Sequence, residues 1–409
     1  MSSSALKFIK SLGPGLLFAG AAIGVSHLVQ STRAGADFGF GLLWALLLVN
    51  LFKYPFFQYG PRYARATGES LIDGYAKLGK GVLLTYFILT FLTMFTIQAA
   101  VTIVTAGLAY NLFGITADLN IWVMIITGIS LLILLLGKYK FLDNLMKVII
   151  VVLTISTVAA VVLALKDHSD IISFEQILPE GSVGIAFLIA FLGWMPAPLD
   201  VSVWHSLWTV EKGKEADEEI SVKRSLFDFN IGYVTTIFLG ICFMALGTFV
   251  MFHSGQQFSA GASKFASELI SLYTSSLGKH TAIFISLAAF TTMFSTTITT
   301  LDASPRSMAR TTELLSGKSS GKLYFFWIFL LAAGTIVILS FFITNMKAMV
   351  KLATILSFLT APFFAIINFI LIDSKYTPEK YRPGLGLKIL SYMGIVFLIG
   401  FSIWYLINL

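Results

Sequence analysis

Apolar runs of roughly 18 residues or more recur along this chain, and they restrict the fold more than any other feature of it. A helix of that length spans a hydrocarbon core about 30 Å thick, at about 1.5 Å per residue. In lipid every backbone N–H and C=O must be paired within the protein, which leaves helices and closed barrels. The runs lack the period-two alternation of barrel strands, so the reading is an all-α membrane protein. Composition agrees: the chain is 57% hydrophobic and only 12% charged, against about 25% charged for an ordinary soluble domain.

Reading apolar runs against polar breaks gives eleven expected spans, near 12–34, 39–61, 81–112, 119–137, 145–165, 182–206, 228–252, 281–301, 323–344, 348–373 and 387–407. With the N-terminus inside, 21 of the 28 Lys and Arg residues fall on inner loops and flanks. This bias predicts a multi-pass protein of the cell membrane with a cytoplasmic N-terminus and an outer C-terminus. It also accounts for the net charge of +7 without a nucleic-acid partner. Residues Met1 to Lys10 lead into the first span without a small-residue cleavage site, so no removable leader is expected. The single cysteine, Cys242, excludes a disulfide framework.

Two spans are interrupted. The first carries Gly13-Pro14-Gly15 and then Gly20, Gly24, Val25, Ser26 and His27. The sixth carries Gly193-Trp194-Met195-Pro196-Ala197-Pro198-Leu199-Asp200, where two prolines one residue apart should unwind the helix. The interruptions lie five spans apart, the arrangement of transporters built from inverted repeats that hold a solute between paired broken helices. The expected organisation is a single domain, 1–409, with repeats over 1–165 and 182–373 and an added helix over 387–407.

Ionisable residues at membrane depth are functional candidates by default. His27, Lys53, Asp200 and His205 qualify. Gly24, Ser26, His27, Met195, Ala197 and Asp200 are expected to line a substrate site. Lys53, Asp200 and His205 are expected to carry a proton or a counter-charge, with Asp200 the obvious partner for Lys53. In the hydroxyl run Ser295-Thr296-Thr297-Ile298-Thr299-Thr300, residues Thr296, Thr297 and Thr300 are candidates for a polar path.

At these same residues the chain resembles the Nramp family of proton-coupled divalent-metal transporters. The resemblance runs from Gly13-Pro14-Gly15-Leu16-Leu17 through Arg33-Ala34-Gly35, Phe38-Gly39 and Leu42-Leu43-Trp44, then Asn50-Leu51, Arg62 and Ala66-Thr67-Gly68. His205-Ser206 and the 295–300 run continue it. It implies a LeuT-type fold of five-plus-five inverted repeats with discontinuous helices 1 and 6, alternating access, and no cofactor.

The metal-binding motif differs. The family carries Asp-Pro-Gly-Asn at the first break, where this chain has Gly24, Val25, Ser26 and His27. The Met-Pro-His of helix six has no clean counterpart: alignment on His205-Ser206 puts Asp200 at its His and Pro198 at its Met. His27, Asp200 and Met195 are the alternative ligands for a cation, whereas Lys53, at a position apolar in the family, would repel one. The cargo is therefore expected to be a small cation, with a non-metal solute or a non-transporting sensor as alternatives. An enzyme is not expected, because His-Glu-x-x-His does not occur and His27, His168, His205, His253 and His280 are scattered.

Overall fold

The structure, a computed structural model, describes residues 13–137, 139–167, 172–215, 221–252, 258–342 and 345–408. The segment Met1 to Lys10, His168 and His253 lie outside them. The described residues form fifteen α-helices and no strand. These are α1 (Pro14–Ala22), α2 (Thr32–Phe38), α3 (Leu43–Thr67), α4 (Leu71–Leu78), α5 (Lys80–Phe113), α6 (Leu119–Leu135), α7 (Tyr139–Asp167) and α8 (Gly181–Trp194). There follow α9 (Val201–Glu215), α10 (Val222–Met251), α11 (Ala262–Leu277), α12 (Ala282–Ser316), α13 (Lys322–Val337), α14 (Met346–Asp373) and α15 (Leu385–Ile407).

Each expected span falls on a helix or a broken helix. Among the described residues, six helices are long and apolar enough by themselves to cross a membrane. The first span is α1 and α2 joined by a π-helical turn over Ser26–Ser31, and the sixth is α8 and α9. Two short helices went unread in the sequence. Helix α4 follows the second span and α11 follows the seventh, which is the same place in both repeats. Helix α4 starts at a capping box in which Ser70 and Asp73 bond reciprocally, closing the orphan amides of its first turn.

Helix α12 continues to Ser316, well past the expected end near 301. Its extra turns are polar and held from outside the helix. Arg310 reaches Asp73 on α4, and the Asp302 carboxylate accepts from Arg306 and from Tyr324 on α13. Gly317, left-handed at φ 68°, ends it.

The first span lies against α10 with backbones almost touching. A Cβ on Gly15 would sit 2.3 Å from the Asp228 carbonyl oxygen, and one on Gly35 would sit 1.9 Å from that of Met244. Gly232 and Gly247 answer from α10, where a Cβ on either would lie 2.2 Å from a first-span carbonyl oxygen. Small residues permit this approach where apolar burial gives no drive between helices in lipid. Asp228 also accepts from the amide of Gly15 at 2.8 Å, capping the N-terminus of α1. Gly35→Val is expected to force α2 from α10 and to cost about 1–3 kcal/mol, read as a lower unfolding temperature in detergent. An unchanged melt would show that the two helices do not depend on this contact.

Candidate functional site

Helix α1 stops at Ala22, and Ile23 leaves helical geometry with φ −79° and ψ 80°. The end of the helix exposes carbonyls that need donors. The Ala22 oxygen is met by the Ser26 hydroxyl and lies 3.1 Å from His27 Nδ1. His27 Nε2 lies 2.9 Å from the Thr236 carbonyl oxygen on α10, and Ser26 Oγ lies 2.7 Å from Nδ1. With the single Ser26 proton on the Ala22 oxygen, the ring faces acceptors on both sides, the Thr236 carbonyl at Nε2 and the Ala22 and Ser26 oxygens at Nδ1, and a neutral imidazole donates to one side. His27 thus braces the first break against α10. Gly24 lets Thr296 approach, since a Cβ there would lie 3.0 Å from both Thr296 Cγ2 and Oγ1.

In the sixth span α8 ends at Trp194, and the chain restarts as a helix only at Val201. The last carbonyls of α8 again lack helical partners, and Lys53 supplies them. Its fully buried ammonium donates to the carbonyls of Leu192 at 2.7 Å and Gly193 at 2.8 Å, and to those of Met195 at 3.2 Å and Ala197 at 3.3 Å. A cation at a helix C-terminus is also favoured by the helix dipole. The expected Lys53–Asp200 ion pair is not formed, because the carbonyls of the break hold the ammonium instead. Asp200 remains the acidic group whose charge acts on Lys53.

Between the two breaks lies a cavity of about 20 Å³, bounded by Ala22, Ser26, Trp194, Ala197, Trp204, Thr296 and Thr300. This is room for about one water molecule, so little space separates the two breaks. Trp204, on its wall, has a buried Nε1 without a hydrogen-bond partner among the described residues, and Asp200 Oδ1 and both ring nitrogens of His205, outside that lining, are in the same condition. His205 stacks on Phe18 with centroids 5.6 Å apart and lies 5.7 Å from Phe229, so two aromatic rings pack against it.

Of the residues expected to line a site, Ser26, Ala197, Thr296 and Thr300 border the cavity. His27, Asp200 and Met195 do not converge on it. Met195 points its sulfur toward α10, where a Cβ on Gly240 would lie 3.4 Å away. No group of three His, Cys, Asp or Glu side chains among the described residues is placed to hold a metal ion. The expected cation cage of His27, Asp200 and Met195 is therefore not assembled in this arrangement, because backbone carbonyls engage the imidazole.

The hydroxyl run is less a path than a ladder. Thr297 pairs with Thr105 at 2.8 Å, and Thr300 donates to Gln98 Oε1 at 2.6 Å. Gln98, Thr102 and Thr105 on α5 were missed in the sequence. Their spacing of four and three residues within an apolar run was the available signal.

The chain matches the family model described as natural resistance-associated macrophage protein-like over residues 15–408. The chain belongs to the Nramp family. An uncharacterised protein of Pasteurella multocida is 34% identical over 406 residues, covering 97% of this chain and 92% of that protein. Among solved structures, a mutant of the Eremococcus coleocola manganese transporter superposes with a TM-score of 0.74 at 14% identity, over 99% of this chain and 96% of that one. A nucleobase-cation-symport-1 family transporter with bound bromovinylhydantoin gives 0.63 at 14% identity, covering 97% and 91%. MhsT in complex with L-phenylalanine gives 0.63 at 13% identity, covering 95% and 98%. The fold is the LeuT type, and membership of the Nramp family makes the chain a multi-pass membrane transporter and not an enzyme. It also supports a small metal cation as the class of cargo.

Proposed function

We propose that this protein is a secondary active, proton-coupled transporter that works by alternating access. Its cargo passes between the broken helices, α1–α2 and α8–α9. The observation that carries this reading is the junction of the two breaks: a small cavity with Trp204 on its wall, its buried Nε1 without a hydrogen-bond partner among the described residues, and the equally unpartnered Asp200 Oδ1 and His205 nitrogens on the same stretch of chain after the sixth break. Unpartnered polar groups at membrane depth are costly, and a cargo or a proton that visits them would offset that cost. Residues 1–165 and 182–373 are the two repeats, with 387–407 added. The protein sits in the cell membrane with its N-terminus in the cytoplasm and its C-terminus outside, as the basic residues distribute.

Family membership favours a small cation as cargo. Opening the cavity toward Asp200, Ser26, Thr296 and Thr300 would offer it oxygen ligands, which suit a hard divalent ion. A second reading, a non-metal solute, rests on the Lys53 ammonium already held at the sixth break. Calorimetric titration of the purified protein with Mn²⁺, Mg²⁺ and Zn²⁺ separates the two. Binding supports the cation, and no heat at millimolar metal leaves the non-metal solute. Uptake into liposomes under an imposed proton gradient tests transport itself, and metal binding without uptake would point to a sensor.

A further inference from the structure

The four oxygens around Lys53 are the only hydrogen-bond partners of its side chain among the described residues. All are carbonyls, and all come from the end of α8 and the break behind it. An amine facing acceptors alone has nothing to donate to its lone pair, whereas an ammonium uses three protons and no lone pair. The arrangement is therefore that of a carbonyl cage around a single positive charge. Its distances, 2.7 to 3.3 Å, are those of an ammonium or a large alkali ion. They are too long for calcium, which takes oxygens at about 2.3–2.6 Å, or magnesium at about 2.0–2.1 Å.

We propose that the sixth-helix break contains a monovalent-cation site that this chain fills with its own Lys53 ammonium. The tethered cation holds the ends of the break in place at any ionic composition, because it cannot dissociate. Lys53 rises from α3, so the same contact ties the break to the second span. The cage shares Ala197 with the wall of the cargo cavity, but its carbonyls hold the ammonium whatever the cargo.

Two measurements on full-length protein in detergent test this. In Lys53→Ala the cage is vacated, and the variant should melt well below the wild type. Ammonium, methylammonium or ethylammonium chloride at tens of millimolar should restore several degrees of that loss, and choline chloride at equal ionic strength should restore none. An indifferent melt, or equal rescue by choline, overturns the proposal. Where Lys53→Ala does not accumulate, wild-type protein labelled with ¹⁵N at lysine Nζ decides. One buried resonance should be an ammonium with slow proton exchange, and finding a neutral amine there overturns the proposal equally. Neither readout involves transport, so failure here and failure of the transport reading are distinguishable.

Discussion

Lys53→Met is expected to destabilise the folded protein by about 3–5 kcal/mol, the range for removing one member of a buried charged arrangement while its partners stay. Two effects oppose each other. Taking an ammonium out of water is unfavourable by several kcal/mol, so an apolar side chain of similar volume relieves a real burden. The carbonyls of Leu192 and Gly193, however, cannot be removed with it. Each is left buried without its short contact, at about 1–3 kcal/mol apiece. Asp200, with Oδ1 already unpartnered, also loses the positive charge that acts on it. Three uncompensated groups outweigh one relieved ammonium, so the sign is destabilising. Denaturant or thermal unfolding in detergent gives the number. A loss below about 1 kcal/mol would mean that water satisfies those carbonyls and that the charge is dispensable.

Much of the architecture was legible because lipid imposes local rules. Run length fixes a helix, and Pro196 and Pro198 fix where one must break, since neither consequence needs a distant partner. The break at Gly24 was read from composition alone and lies where expected. The site was less legible. Lys53 meets carbonyls 139 to 144 residues further along the chain, and no pattern near Lys53 announces them. Asp200 was the expected partner because side chains are visible in a sequence and orphan carbonyls are not. His27 misled for the same reason: its acceptor is the backbone of Thr236, which any residue type at that position would supply. Helices α4 and α11 were missed because short amphipathic elements have little hydropathy signal beside full spans. The polar extension of α12 was missed because its stability comes from Asp73, another element altogether.

The contrast with the manganese transporter fold is instructive at the first break. Where the family has an acidic ligand this chain has Gly24, and Thr296 occupies the approach that a side chain would need. The dication's carboxylate is lost and a fixed positive charge is gained at the partner break. At an effective dielectric near 20, a single charge about 6 Å from a dication repels it by about 5 kcal/mol. A divalent cargo on this scaffold must be held where the Asp200 carboxylate offsets that repulsion, which makes Asp200 the decisive residue for either cargo class.

Asp200→Asn should therefore abolish transport, by about a hundredfold or more, while leaving the fold intact. The amide matches the carboxylate in shape. Oδ1 makes no hydrogen bond, so no pairing is broken at that atom. Replacing a buried charge by a neutral group also removes a desolvation cost, which offsets the counter-charge that Lys53 loses, so the melting temperature should change little. What the amide cannot do is take up and release a proton, or offset a cation in the cavity. A hundredfold loss corresponds to about 2.7 kcal/mol, well within what one buried charge contributes to binding or proton transfer. Proton entry into liposomes, followed by a trapped pH-sensitive dye with Mn²⁺ as the first probe, measures it beside the unfolding curve. Activity within about threefold of the wild type would remove Asp200 from the transport cycle. A collapsed melt alongside lost activity would assign the carboxylate a structural part instead, as a counter-charge to the Lys53 cage.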